Sequence, residues 1–201
     1  MATERKETRL AWAITGSGHF LDESLQIARS WHRARRDPSV PDADADAGPV
    51  DIFLTAAAEE VLQMYGLPVE QLRKEFRVLR DNTASSVPVG QLYDGQYHTL
   101  VIAPATSNTV AKCVAGISDS LATNMFAQAG KCRIPSIVFA CDAEPTVTTR
   151  APGDWVTLYP RRVDLHNTER LAQFEYTTVV TSVEGLQRAM DRRLRELGAG
   201  T

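Results

Sequence analysis

Short apolar segments alternate with longer amphipathic segments along the chain. Leu10–Ile14 is a short apolar segment typical of a strand, and Phe20–Arg36 follows with apolar side chains at helical spacing. The same order recurs at Asp51–Leu54, after which Thr55 begins a predicted helix that Gly66 ends. A repeated order of strand, turn and helix is what a parallel sheet covered by crossover helices requires.

The second half of the chain continues this order. Ser107 begins a predicted helix, and Thr181 with Glu184 forms a capping-box pattern for a last helix that stops at Gly198. Three further apolar segments predict strands: Leu100–Ala103, Ile134–Cys141 and Thr177–Val180. The pattern therefore predicts an α/β protein with a mostly parallel sheet.

Composition narrows the class of protein. A chain of 201 residues with 43% hydrophobic and 23% charged residues predicts one soluble globular domain over residues 1–201. The acidic, proline-bounded stretch Asp37–Pro49 lacks periodicity, which predicts an exposed loop inserted between the first helix and the second strand. The net charge of -3 gives no general field for gripping nucleic acid or an anionic membrane, so any anion must be held by a local site.

The cysteines and the apolar segments indicate the compartment. Cys113, Cys132 and Cys141 are odd in number, widely spaced and without a C-x-x-C pair, which supports neither a disulfide framework nor a metal or iron–sulfur site. Every apolar segment is too short for a signal-peptide core or a membrane span. We therefore expect reduced, buried thiols in a cytoplasmic protein.

The carboxyl ends of three predicted strands share one chemical character. Residues 15–19, 55–57 and 103–109 are small residues, hydroxyls and amides, without a carboxylate. Ligands of open parallel sheets bind outside the carboxyl ends of the strands. Glycine turns and helix starts there offer backbone N–H groups to an anion. These three segments therefore predict a phosphate site.

The glycine turn does not complete a known nucleotide fingerprint. Gly16 and Gly18 match the first two glycines of G-x-G-x-x-G, but Leu21 takes the third position and Thr55 stands where the ribose-binding acid is expected. No Gly-Lys-Ser/Thr follows, so the Walker pattern fails as well. The turn favours a mononucleotide over NAD, although a tight turn without any ligand would have the same sequence.

The segment Ala103–Asn124 resembles the P-A-S/T-A-N-T motif and the following helix of the flavin-dependent cysteine decarboxylase superfamily. Ala111-Lys112, Gly116, Asp119 and Leu121 stand where that superfamily reads A-K, G and A-D-x-L, and Gly16-Ser17 matches its T-G-S turn. Within it, residues 14–19 and 121–131 are similar to the archaeal-type flavoproteins and dihydromethanopterin reductases. The resemblance implies a Rossmann-like (flavodoxin-type) three-layer sandwich.

The resemblance also implies the cofactor and the assembly. The cofactor would be FMN, held at subunit contacts of a homo-oligomer built from trimers. The residues that the resemblance assigns to FMN follow the three strand ends, with serines and an asparagine from elsewhere: Thr15, Gly16, Ser17, Gly18, Thr55, Ala56, Ser85, Ser86, Pro104, Ala105, Thr106, Ser107, Asn108, Thr109 and Asn124.

Departures from the superfamily pattern shape the functional hypothesis. Residues 121–126 keep only the Asn of the decarboxylases' P-x-M-N-x-x-M-W motif, and no histidine lies in 85–97, where their active-site His is expected. His98 is interpreted as structural. The cysteines cannot form the ferredoxin-like clusters of some archaeal pterin reductases, so an external donor is needed, either NAD(P)H or a redox protein.

The resemblance implies an FMN-dependent oxidoreductase of one-carbon metabolism. Reduced FMN would deliver a hydride to a dihydropterin, converting dihydromethanopterin to tetrahydromethanopterin. His19 and Lys112 are the candidate proton donors, and a structural ion pair is the alternative for Lys112. A flavin-dependent decarboxylase and a non-catalytic electron-transfer flavoprotein stay open as alternatives.

Three further features receive structural interpretations. Asp119 is predicted to cap the helix that continues through Leu121 and Met125. Cys113 falls on an apolar helical face and is interpreted as a packed thiol. The arginines of the last helix are interpreted as a solvated face: Arg188, Arg192, Arg193 and Arg195.

Overall fold

The computed structural model describes residues 9–36, 48–81 and 86–199, without the side chains of residues 86 and 87. The strands are β1 (Arg9–Ile14), β2 (Val50–Leu54), β3 (Arg77–Arg80), β4 (Tyr97–Ala105), β5 (Ser136–Ala140), β6 (Val147–Arg150), β7 (Trp155–Leu158) and β8 (Thr177–Val180). The helices are α1 (Leu21–Arg35), α2 (Ala56–Met64), α3 (Val69–Leu72), α4 (Ser86–Tyr93), α5 (Ser107–Ala115), α6 (Leu121–Lys131), α7 (Arg162–Leu171) and α8 (Val183–Ala199).

Six strands form one parallel sheet in the order β3-β2-β1-β4-β5-β8, and β6 and β7 form a separate antiparallel hairpin. The order reverses between β1 and β4, because the chain first builds outward through β2 and β3 and then returns to the other side of β1. The strand order is the 3-2-1-4-5-6 of a doubly wound sheet. The predicted α/β class and Rossmann-like three-layer arrangement are confirmed.

Side-chain alternation along β1 divides the core into two clusters, one on each face of the sheet. Leu10, Trp12 and Ile14 belong to the cluster that α1, α2 and α8 cover. Ala11 and Ala13 belong to the cluster covered by α4, α5, α6 and α7. All five side chains are buried, so β1 is apolar on both faces, as a central parallel strand must be.

The predicted elements are present with small differences in their ends. The helix predicted from Thr181 begins at Val183, and its cap is Ser182, whose Oγ accepts a hydrogen bond from the Gly185 N–H at 3.0 Å. The predicted capping box at Thr181 was therefore wrong by one residue. The helix also continues through Gly198 to Ala199, because glycine weakens a helix without having to end it.

The hairpin β6–β7 and helix α7 were not predicted. Of the hairpin's strand residues, only Val147 is buried, and Trp155 and Leu158 are largely exposed. Without a buried face the segment shows no strand periodicity. Most of the predicted loop Asp37–Pro49 lies outside the described residues, which resume at residue 48.

A buried carboxylate joins the amino ends of the first four strands. Asp51 has no exposed side-chain surface. It accepts hydrogen bonds from Arg9 at 2.8 Å, from Arg77 at 3.3 Å and from the Tyr97 hydroxyl at 2.6 Å. Burial raises the pKa of the Asp51 carboxyl, and the donors, led by Tyr97, oppose that rise. The network links β1, β2, β3 and β4 at the sheet edge opposite the glycine turn.

Replacing Asp51 by Asn should destabilise the protein by about 3 kcal/mol, because two guanidinium groups lose their shared anion in a buried setting. Urea unfolding should show a lower midpoint with an unchanged slope. Asp94→Asn, at an exposed position, is the matched control and should stay within about 0.5 kcal/mol of the parent. Equal midpoints for parent and Asp51→Asn would contradict the structural role of the network.

Two histidines, His32 and His98, are buried or half-buried in the fold. His98 is followed in β4 by Thr99, whose hydroxyl lies 2.7 Å from His98 Nδ1, and His32 lies edge-on to Phe76. Burial lowers the pKa of His98 and of His32 to about 4, with neighbouring arginines adding to the effect. Both rings are therefore neutral in the folded protein near pH 7.

Because both histidines are neutral in the folded protein, the free energy of unfolding falls in mild acid. An unfolded histidine binds its proton near pH 6.5 and these folded ones near pH 4, so the unfolded state gains protons first as the pH falls between those values. We expect a loss of the order of 1 to 2 kcal/mol per histidine at about pH 5. His98→Asn should show a smaller difference in unfolding free energy between about pH 7 and pH 5 than the parent. An identical pH dependence would show that His98 is not held neutral.

Candidate functional site

The sheet reverses its order between β1 and β4, and the candidate site lies at the carboxyl ends of these strands. Thr15 follows β1 and is buried. Its hydroxyl donates to the Pro104 carbonyl at 2.8 Å and accepts from the Thr106 N–H at 3.0 Å. The Ala103–Pro104 peptide bond is cis. Thr15, Pro104 and Ala105 thus form the buried floor of the crevice and fix the two strand ends to each other.

Threonine caps begin the two helices on either side of this floor. The Thr55 hydroxyl accepts a hydrogen bond from the Ala58 N–H at 3.1 Å at the start of α2. The Thr106 hydroxyl accepts from the Thr109 N–H at 3.2 Å and lies 3.0 Å from the Thr109 hydroxyl at the start of α5. These predicted site residues therefore lie at one edge of the sheet, where their hydroxyls cap the amino ends of two helices.

Several backbone donors at this edge are left for a ligand. Within the ranges that the structure describes, the N–H groups of Gly16, Gly18, Ala57 and Asn108 form no hydrogen bond. The last two lie in the first turns of α2 and α5, where the helix dipoles favour negative charge. Uncharged N–H donors that lie at one edge of a sheet in this way can hold a phosphate.

Both glycines of the turn allow a close approach of α2. A Cβ added to Gly16 would lie 2.7 Å from the Ala57 Cβ, and one added to Gly18 would lie 2.1 Å from the Tyr65 hydroxyl oxygen. Packing thus explains why both positions are glycine, and it also brings the start of α2 beside the turn. Ser17 turns inward, where its hydroxyl donates to the His19 carbonyl at 3.2 Å.

Two carboxylates also reach this edge, and neither is among the predicted site residues. Asp142 follows β5, and its Oδ2 accepts from the Ser107 N–H at 3.2 Å. Asp81 follows β3 and accepts from the Leu121 N–H at 2.8 Å. Asp142 follows Cys141, the last residue of a predicted strand, so its position at the carboxyl end of that strand could have been predicted from the sequence. The uncharged donors therefore lie between two carboxylates that occupy the starts of α5 and α6.

His19 is the titratable candidate that the structure brings to the site. Its ring is partly buried against Phe20, with centroids 3.6 Å apart, and Phe20 stacks on Phe139. Burial lowers the pKa of His19, while the charges of Asp142 and Glu23 raise it. The net effect is a lowered pKa, so the neutral imidazole dominates near pH 7.

Lys112 does not share that position. Its ammonium donates to both Asp119 oxygens, at 2.9 and 2.8 Å, which favours the alternative of a structural ion pair. The predicted capping role of Asp119 was wrong: Ser120 caps α6, in a capping box with Thr123. The amide of Asn124 donates to the Ser120 carbonyl at 3.1 Å in the same helix.

The other predicted residues have varied outcomes. Ser85 lies outside the described residues, and Ser86 begins α4 with its side chain undescribed. Burial raises the pKa of the Cys113 and Cys141 thiols to about 12, in agreement with packed thiols. The expectation of a buried thiol was wrong for Cys132, which is half-buried. Arg193 departs from the predicted solvated face, because it donates to Thr99 Oγ1 at 2.7 Å and to the His98 carbonyl at 3.0 Å.

Known proteins are similar to this chain in fold and in sequence. A solved structure of Burkholderia xenovorans DmrB in complex with FMN, described as a cubic protein cage for redox transfer, is 56% identical, with a TM-score of 0.81 over 96% of this chain and 99% of that one. A dihydromethanopterin reductase (acceptor) of Methanosarcina mazei is 39% identical over 152 residues, which are 72% of this chain and 59% of the relative. The chain thus spans about three fifths of that reductase.

A more distant structure shows the fold alone. The phenylacrylic acid decarboxylase from Aquifex aeolicus is 18% identical, with a TM-score of 0.59 over 87% of this chain and 81% of that one. The family model described as Flavoprotein matches residues 1–196. With nearly the whole sequence inside that match, the chain belongs to the Flavoprotein family.

Proposed function

We propose that this protein is an FMN-dependent oxidoreductase that reduces a dihydropterin, converting dihydromethanopterin to tetrahydromethanopterin in one-carbon metabolism. The observation that carries the proposal is the group of unbonded backbone N–H donors around Gly16, Gly18, Ala57 and Asn108, at the sheet reversal. Support for the cofactor comes from the FMN complex of the 56% identical structure. Support for the substrate comes from the name of the Methanosarcina mazei relative.

The donor set fits the phosphate of FMN. Neutral N–H groups at the starts of two helices compensate a dianion without a charged side chain. Asn108 is exposed at the start of α5 and can reach a ligand through its amide. Thr55 and Thr106 cap the starts of the two helices, and the buried Thr15 joins the two strand ends beneath the site. Bound FMN would supply hydride transfer to a C=N bond of the substrate.

The chain itself contributes orientation and a proton. His19 lies at the glycine turn, and the Asp142 and Glu23 carboxylates stabilise its protonated form against burial. It can therefore donate a proton to the reduced product when protonated.

The proposal also includes an electron donor and an assembly. Electrons must come from an external donor, NAD(P)H or a redox protein, and we propose a trimer-based homo-oligomer with FMN at subunit contacts. Among the described helices none is long and apolar enough to cross a membrane.

Replacing Asn108 by Ala should weaken FMN binding about tenfold, because one or two hydrogen bonds to the cofactor are lost. The measurement is a titration of the apoprotein with FMN, followed by flavin fluorescence. Gln173→Ala, at an exposed position after α7, is the matched control and should bind FMN like the parent. Parent-like affinity in Asn108→Ala would show that FMN lies elsewhere. A protein that takes up no FMN would overturn the proposal.

The reductase activity can be tested anaerobically. Protein loaded with FMN and then reduced should be reoxidised by dihydromethanopterin, as followed by the return of flavin absorbance. No reoxidation by any dihydropterin would contradict the proposed reaction. Parallel titrations of the oxidised protein with NADH and NADPH identify the donor.

The role of His19 predicts a pH dependence of that reoxidation. Its pKa is lowered from 6.5, so the protonated, donating form is a minor species at neutral pH and grows as the pH falls. The rate should rise from about pH 7.5 to pH 6 in the parent and should be flatter and lower in His19→Asn. His166→Asn, an exposed histidine in α7, should keep the parent profile. A parent-like profile in His19→Asn would remove His19 from the reaction.

A further inference from the structure

A cavity opens beside the glycine turn and shares Gly18 with the proposed cofactor site. It has a volume of about 620 Å³ and lies between the first turn of α1, the end of α2 and the β6–β7 hairpin. Its lining includes Gly18 and His19 from the turn, Glu23 from α1, Met64 from α2 and Trp155 from the hairpin. Because Gly18 belongs to both, a molecule in this cavity would lie next to the bound cofactor.

The hairpin is fixed as one wall of the cavity. The Tyr65 hydroxyl donates to the Arg150 carbonyl at 2.6 Å, and the Tyr65 ring packs directly over Gly18. Arg150 and Trp155 are cross-strand partners in the hairpin, and both line the cavity. A single tyrosine therefore ties the hairpin, α2 and the glycine turn together around one opening.

The lining combines aromatic surface with negative charge. Trp155 and Met64 line the cavity and are 66% and 61% exposed, so both have apolar surface that a ligand can contact. Asp22 and Glu23 contribute two carboxylates, against one cation, Arg150, among the described lining residues. Such a lining suits a flat heteroaromatic ring that presents N–H donors, and it disfavours the phosphates of a nicotinamide dinucleotide.

We propose that this cavity binds the pterin ring of the substrate, with the aminopyrimidine edge toward Glu23 and Asp22 and the ring against Trp155. The 2-amino group and the N3–H of a pterin form a donor pair that one carboxylate accepts through both oxygens. This orientation leaves the reducible part of the ring toward His19, the proposed proton donor. The inference rests on the proposed function, to which it adds the substrate site.

The test measures substrate binding separately from cofactor binding. Glu23→Gln, Asp22→Asn with Glu23→Gln, and Trp155→Leu are compared with Glu184→Gln, an exposed acid in the first turn of α8. Each variant is loaded with FMN and titrated by calorimetry with dihydromethanopterin, with the ring-only probe 6-methyl-7,8-dihydropterin and with NADPH. The FMN dissociation constant and the melting temperature of each variant are measured alongside.

We expect both probes to bind about tenfold or more weakly to Glu23→Gln and to Trp155→Leu, with FMN affinity and melting temperature unchanged. In Trp155→Leu, KM should rise with little change in kcat, because this residue binds the ring away from the reacting bond. In Glu23→Gln, kcat should also fall, because the lost carboxylate no longer raises the pKa of His19. Trp155 also offers an optical signal: it is exposed, whereas Trp12 and Trp31 are buried, so bound pterin should quench emission that Trp155→Leu lacks.

Two outcomes overturn the inference while leaving the proposed function intact. One is continued flavin reoxidation with parent KM in all three cavity variants. The other is weakened binding of NADPH, with parent-like pterin binding, which would assign the cavity to the electron donor. Absence of reoxidation by dihydropterin in the parent protein would instead overturn the proposed function, and the substrate assignment with it.

Discussion

The parallel direction of all six strands is the constraint on which the site depends. Because every strand of the sheet runs the same way, each strand-to-helix turn falls at one edge, and unbonded helix N–H groups gather there. The reversal between β1 and β4 then separates neighbouring connections and opens a crevice. Thr15 spans that crevice from below and holds the two strand ends at hydrogen-bonding distance.

Charge is distributed unequally between the two edges of the sheet. The amino edge carries a buried ionic network around Asp51, which ties four strands together. The centre of the carboxyl edge has hydroxyls and backbone N–H donors without partners. On either side of this centre, Asp81 and Asp142 accept hydrogen bonds from the starts of α6 and α5. One edge is thus fixed by strong internal pairing, while the other keeps neutral donors available for an anionic cofactor.

The β6–β7 hairpin adds what the sheet alone lacks. The sheet and its helices form the crevice at the reversal of strand order, and the hairpin forms one wall of a further cavity beside the glycine turn. Tyr65 connects the hairpin to α2 through the Arg150 carbonyl, and the enclosed space has acidic and aromatic lining suited to a substrate ring. Cofactor and substrate sites would then share Gly18, so the two bound molecules would be neighbours.

Pattern alone determined the strands β1, β2, β4, β5 and β8 and most of their following helices, since apolar periodicity is a local property. The motif residues around Gly16, Thr55 and Thr106 also lie at one edge of the sheet, because parallel strands bring their carboxyl ends together. Only the tertiary structure decided what each group does. It paired Lys112 with Asp119, brought Asp142 to the start of α5, and closed a cavity with an exposed hairpin. Those outcomes depend on contacts between residues far apart in the chain, and no local periodicity encodes them.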